Sequence, residues 1–266
     1  MRIEDKAYTA INFSREGRIL TASLARPQAM NAVNAALHEE LSRLFYDMAD
    51  DSESDVLVLT GEGKAFCGGG DLIWLQEAID DPEVFQRMSG EAKRIVFGQL
   101  ELEKPIICRL NGAATGLGAS LALFCDMIIA SSNAVIGDPH VSVGLVAGDG
   151  GCIIWPQLVG YARAREYLLT GKLAKAEEAE RIGLINRVVA PEQLDDAVYG
   201  LARELAGGAT KSIRWTKVVT NTPLKALAHQ LFDMGLAYEN MSNSTKDHQE
   251  AVTAFRERRK PVFTGK

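Results

Sequence analysis

The sequence lacks any close pair of cysteines. Cys67, Cys108, Cys125 and Cys152 stand singly and far apart. No CxxC pair is present, so the pattern suggests neither a zinc site nor a redox motif; reduced, mostly buried thiols are expected. No apolar run approaches the ~20 residues of a membrane span. The opening MRIEDKAYTA alternates charge and lacks the apolar stretch of a signal peptide. A cytoplasmic protein with no membrane partner is expected. Positive charge is not in excess: 29 Lys and Arg against 35 Asp and Glu leave a net charge of −6. That argues against a bulk electrostatic grip on nucleic acid. No internal repeat, low-complexity tract or metal constellation is visible, so no metal is expected.

What is present is an ordinary globular composition of 266 residues, 47% hydrophobic and 24% charged, with enough chain for a sizeable core. Val56–Thr60, Pro105–Leu110 and Asp126–Ala130 read as short buried strands, rich in β-branched residues. Tyr8–Phe13 and Arg18–Leu24, split by Glu16-Gly17, read as a hairpin. Leu37, Leu41, Leu44, Phe45 and Met48 recur at helical spacing, and Pro82 opens a second long helix to Glu103. Strands separated by helices imply an α/β core. Beyond about residue 190 the pattern predicts helices alone: Pro191–Ala206, Ala209–Thr220, Pro223–Asn240 and Thr245–Arg259. The expected organisation is an α/β core over 1–195 and a C-terminal helical region over 196–266. Trp74, Trp155 and Trp215 are expected to be packing residues.

Two glycine-rich loops each follow a strand and lead into a helix. The first is Gly61–Leu72, with Gly68-Gly69-Gly70; the second is Asn111–Ser120, with Gly116 and Gly118. Neither matches a dinucleotide or P-loop motif, because the GxGxxG spacing and the Gly-Lys-Ser/Thr ending are missing. Glycine lets a backbone approach a ligand closely, and the first N–H groups of a helix are free. Two such loops can aim two N–H groups at one oxygen, which is an oxyanion hole.

At these loops the chain resembles the crotonase superfamily, the enoyl-CoA hydratase/isomerase family. Five segments carry the resemblance: Ala25–Ala32, Ala65–Leu72, Asn111–Asp126, Leu168–Gly171 followed by Ala179–Asn186, and Ala254–Phe263. It implies a spiral of ββα units with a C-terminal helical region, assembled as trimers or hexamers. It implies acyl-CoA thioesters as substrates, coenzyme A entering as part of the substrate and no separate cofactor. By position, the N–H groups of Gly70 and Leu117 would hold a thioester enolate. Ala29, Gly68, Asp71 and Leu72 fall in the segments that contact CoA, and Phe255 and Arg258 fall where a neighbouring subunit's C-terminal helix touches it.

The same resemblance implies two catalytic glutamates, and this chain has Ser120 and His140 at those positions. Adding water across a conjugated thioester needs a base and an acid, so standard hydration is in doubt. His140 can transfer protons near neutrality, and a carboxylate from Asp149 on its other nitrogen would orient it; Ser120 would position water or substrate. The pair His140 and Asp149 also resembles the oxocamphor hydrolase branch, which cleaves cyclic β-diketones by a retro-Claisen reaction. His38 and Glu239 match two more polar residues of that branch. The leading expectation is an acyl-CoA hydratase-like lyase or isomerase working through an enolate. The alternatives are a retro-Claisen hydrolase of a β-diketone or β-ketoacyl-CoA, and a non-catalytic acyl-CoA-binding member.

Overall fold

The computed structural model describes residues 2–266. The chain opens with a hairpin, β1 (Ile11–Glu16) and β2 (Ile19–Leu24), followed by α1 (Ala35–Asp50) and β3 (Val56–Gly61). Next come α2 (Leu72–Asp80), α3 (Pro82–Glu101), β4 (Ile106–Leu110), β5 (Ala114–Thr115) and α4 (Leu117–Leu123). Then follow β6 (Met127–Ser131), β7 (Val135–Gly137), α5 (Gly151–Thr170), β8 (Leu173–Lys175), α6 (Ala176–Arg181) and β9 (Arg187–Val189). Three helices end the chain: α7 (Leu194–Gly207), α8 (Thr210–Asn243) and α9 (Lys246–Arg256).

Six strands form one sheet in the order β1-β2-β3-β4-β6-β9, parallel except for the hairpin pair. A second sheet has the order β5-β7-β8. The central strands are apolar on both faces, as parallel strands covered on both sides must be. Leu57 and Leu59 of β3 join Ile106, Cys108 and Ile128 in the large core under α1 and α3. The alternate residues Val56, Val58, Ile107 and Ile129 pack against Leu194, Val198 and Ala202 of α7. The position 195/196 therefore falls inside a helix that covers one face of the sheet.

Helix starts follow local chemistry. Asn34 and Asp71 cap α1 and α2 by accepting the N–H of Leu37 and Ile73; Asp81 caps α3 with Pro82 in its first turn. One sequence expectation fails. The two helices expected over Ala209–Thr220 and Pro223–Asn240 are a single 34-residue helix, α8, with Pro223 inside it. A proline removes one N–H and frees the carbonyl four residues earlier. Here that residue is Val219, 71% exposed, where water can take the place of the missing donor. Trp215 is likewise no packing residue but 60% exposed, whereas Trp155 is fully buried.

Candidate active site

The strands β3 and β4 run parallel, so the loops that leave their carboxyl ends emerge on the same edge. The two loops are tied side by side. Cys67 donates to the Ala113 carbonyl and Thr115 donates to the Cys67 carbonyl, both at 3.0 Å. Gly70 and Leu117 each lie three residues beyond the paired positions Cys67 and Ala114. Each also follows a glycine at positive φ, Gly69 (84°) and Gly116 (56°), a conformation that side-chain-bearing residues resist. Neither the Gly70 N–H nor the Leu117 N–H makes a hydrogen bond among the described residues. Both residues line a cavity of about 290 Å³.

His140 closes the next wall. Its ring lies against Gly116: a Cβ placed there would stand 3.4 Å from His140 Cε1. The carboxylate nearest the imidazole is Asp138, which accepts from Nδ1; sequence reasoning had placed Asp149 as the orienting group. Asp138 is two residues upstream, at the end of β7, and also accepts from the His140 backbone N–H at 3.4 Å. This turn puts it beside the ring for local reasons. Asp149 instead lies 3.6 Å from Nε2, beyond hydrogen-bond length. Ser120 does not reach the cavity. It is 1% exposed and donates to Asp149 Oδ1 at 3.2 Å.

Both looser candidates are on the wall. Glu239 comes from α8, which approaches closely because Gly148 packs on the backbone at Gly235. Its Oε2 is buried without a partner. His38 comes from α1 and lies 4.9 Å from the Trp74 ring, centroid to centroid. Sequence reasoning missed Asp138, and also Glu91, whose Oε2 is 2.6 Å from His38 Nδ1.

Burial disfavours charge on His140, but Asp138 and Asp149 outweigh it and hold its pKa well above the ordinary 6.5. Burial raises the Asp149 carboxyl, against the pull of the His140 charge. Burial, then the negative charge of Asp149, pushes Glu239 up to about 8. His140, Asp149 and Glu239 thus each favour their protonated forms more than the free side chains do. Asp138, His140 and Asp149 offer ligand atoms within 4.8 Å of one another, but both ring nitrogens already face carboxylates.

Of the residues expected to grip CoA, Gly68, Leu72 and Phe255 line the cavity. Asp71 caps α2 and pairs with Arg26 at 3.0 Å. Ala29 is half-buried in a short 3-10 turn, and Arg258 is exposed at the end of α9. Both lie apart from the cavity lining.

Residues 14–266 match the family model described as enoyl-CoA hydratase/isomerase. The chain belongs to the enoyl-CoA hydratase/isomerase family. It is a mixed α/β member with the crotonase fold, and the family's named relatives are lyases and isomerases. It is 35% identical to the short-chain-enoyl-CoA hydratase of Clostridium acetobutylicum, over 92% of this chain and 94% of that protein. An enoyl-CoA hydratase/isomerase of Mycobacterium paratuberculosis superposes with a TM-score of 0.88 at 34% identity, covering 92% of this chain and 98% of that one. Another similar solved structure is a beta-diketone hydrolase of the cyanobacterium Anabaena, bound to (S)-3-oxocyclohexyl acetic acid. It has a TM-score of 0.83 and 30% identity, covering 89% of this chain and 95% of that one. No helix of the described residues is long and apolar enough to cross a membrane.

Proposed function

We propose that this family member is a carbon–carbon hydrolase that cleaves 1,3-dicarbonyl compounds by a retro-Claisen reaction. The observation that carries the reading is the placement of His140. It stands between Asp138 and Asp149, against the loop that supplies the Leu117 N–H. Ser120, where the family resemblance implies a glutamate, is turned into Asp149 and offers the cavity nothing.

In this reading neutral His140 takes a proton from water through Nε2, with Asp138 holding Nδ1–H. The water oxygen bonds to one carbonyl carbon. The bond from that carbon to the central carbon breaks, and its electron pair becomes the enolate of the second carbonyl. The N–H groups of Gly70 and Leu117 take up the enolate charge. The central carbon then receives a proton, for which Glu239 is the acid. One water is consumed and nothing is oxidised or reduced, so the reaction needs no separate cofactor.

The Anabaena beta-diketone hydrolase supports this chemistry on the same fold. The substrate is either a free diketone or a β-ketoacyl-CoA. The named relatives favour a thioester, and the apolar wall of Trp74, Phe85, Met88 and Leu236 accepts an uncharged acyl or ring group. Trp215, Val219, Met234, Tyr238 and Met241 are exposed along α8, which supports assembly of several copies.

Mass spectrometry of the products tests the reading. Purified protein is offered a cyclic 1,3-diketone, acetoacetyl-CoA and crotonyl-CoA. The expected result is cleavage acid from a dicarbonyl and little hydration of crotonyl-CoA. Rapid hydration of crotonyl-CoA without cleavage of either dicarbonyl would overturn it, and the hydratase reading would replace it.

A further inference from the structure

The cavity holds a second imidazole–carboxylate pair that the reaction above leaves unused. His38 is 2% exposed, yet it belongs to the cavity wall. Its Nδ1 and Glu91 Oε2 are 2.6 Å apart, a short hydrogen bond to a carboxylate. A carboxylate only accepts, so Nδ1 carries the proton and donates it. Nε2 makes no hydrogen bond with the protein and is not among the buried unpartnered atoms. Trp74 packs on the ring from α2 and limits its rotation. When neutral, His38 is therefore held in the tautomer whose Nε2 is a proton acceptor. Glu239, in the same cavity, retains its proton up to about 8.

We infer that Glu91 positions His38 to take the hydroxyl proton from the enol form of a 1,3-dicarbonyl, converting it in the site to the diketone that water then attacks. The inference rests on the retro-Claisen reading. A cyclic 1,3-diketone with a hydrogen on its central carbon is largely enol in water. The enol has no second ketone able to receive the electrons of the breaking bond. The step is a 1,3-proton shift. His38 Nε2 takes the O–H proton, and the O–H electron pair forms the new C=O. The C=C pair takes the Glu239 proton at the central carbon. Before the carbon–carbon bond breaks, solvent removes the proton from His38 and returns one to Glu239, which is then again the acid for the enolate. Glu91 is a positioning residue: it touches His38 and not the substrate.

The test compares a 1,3-diketone that can enolise with a 2,2-dialkyl-1,3-diketone that cannot. Glu91→Leu is expected to lower kcat on the first substrate by about 100-fold, at least ~10 times more than on the second, with Glu91→Gln between wild type and Glu91→Leu. Equal losses on the two substrates would overturn the inference. Nitrogen-15 NMR of the imidazoles reads the positioning without any substrate. Wild type should show His38 protonated at Nδ1, and Glu91→Leu should populate the Nε2–H form. A wild-type His38 already in the Nε2–H form would overturn it. If wild type cleaves neither diketone, the retro-Claisen reading itself fails, and the NMR result separates that failure from a failure of the Glu91–His38 assignment.

Discussion

The Ser120 hydroxyl donates to Asp149 Oδ1 across 3.2 Å, inside the protein and away from the substrate. The bond favours the charged form of a carboxylate that burial pushes the other way. Ser120→Ala is thus expected to act through Asp149. It should cost about 1 kcal/mol of stability, the scale of one buried hydrogen bond, and slow turnover by less than ~10-fold. Asp149→Asn, which changes the group beside His140 Nε2, should slow it by ~100-fold or more. Urea unfolding and steady-state rates of the two variants check this. A Ser120→Ala variant as crippled as Asp149→Asn would put Ser120 back in the cavity.

The pH profile follows from the charges around His140. The base form must be neutral, and Asp138 and Asp149 hold the proton on the ring well above the ordinary 6.5. The rate at low substrate should therefore follow a bell: it rises as His140 loses its proton and falls as Glu239, the acid, loses its own at about 8. Asp138→Asn removes one of the two charges and should bring the midpoint of the rising limb down towards ~6.5 while lowering the maximum. A midpoint that stays put in Asp138→Asn would show that Asp138 does not set it.

Much of this site was legible in the sequence because it is local. The two glycine loops, His140 and Asp149 are each read from a short segment whose residue types serve one purpose. Asp138 was legible too, two residues before His140, but an aspartate before a proline also reads as a turn former. Glu91 could not be found that way. It meets His38 from 53 residues away, through the packing of α3 on α1, and no spacing records that contact. The helix break expected before Pro223 failed for a related reason: a local rule gave way where the freed carbonyl lies on an exposed stretch of α8.

Stability should fall as pH rises. Glu239 has its folded pKa raised to about 8 from an ordinary value near 4.5. The folded protein binds that proton more tightly than the unfolded chain, so the contribution to stability is complete below about pH 4.5 and is lost as pH climbs through about 8. Burial, the dominant cause of the shift, also leaves its Oε2 unpartnered. Glu239→Gln has no charge to bury, so its Tm should decline less between pH 5 and pH 9 than that of wild type. Calorimetry across that range decides it; parallel curves for the two proteins would mean that Glu239 is not the group responsible.

The most direct measurement is the fate of the water oxygen. Wild type and His140→Ala are run in oxygen-18 water with a cyclic 1,3-diketone and, separately, with crotonyl-CoA. The account expects one heavy oxygen in the carboxylate of the cleavage product, and at least a ~100-fold slower appearance of that product with His140→Ala. Heavy oxygen found instead at the β-carbon of a hydroxyacyl-CoA, at a rate His140→Ala leaves unchanged, would contradict it.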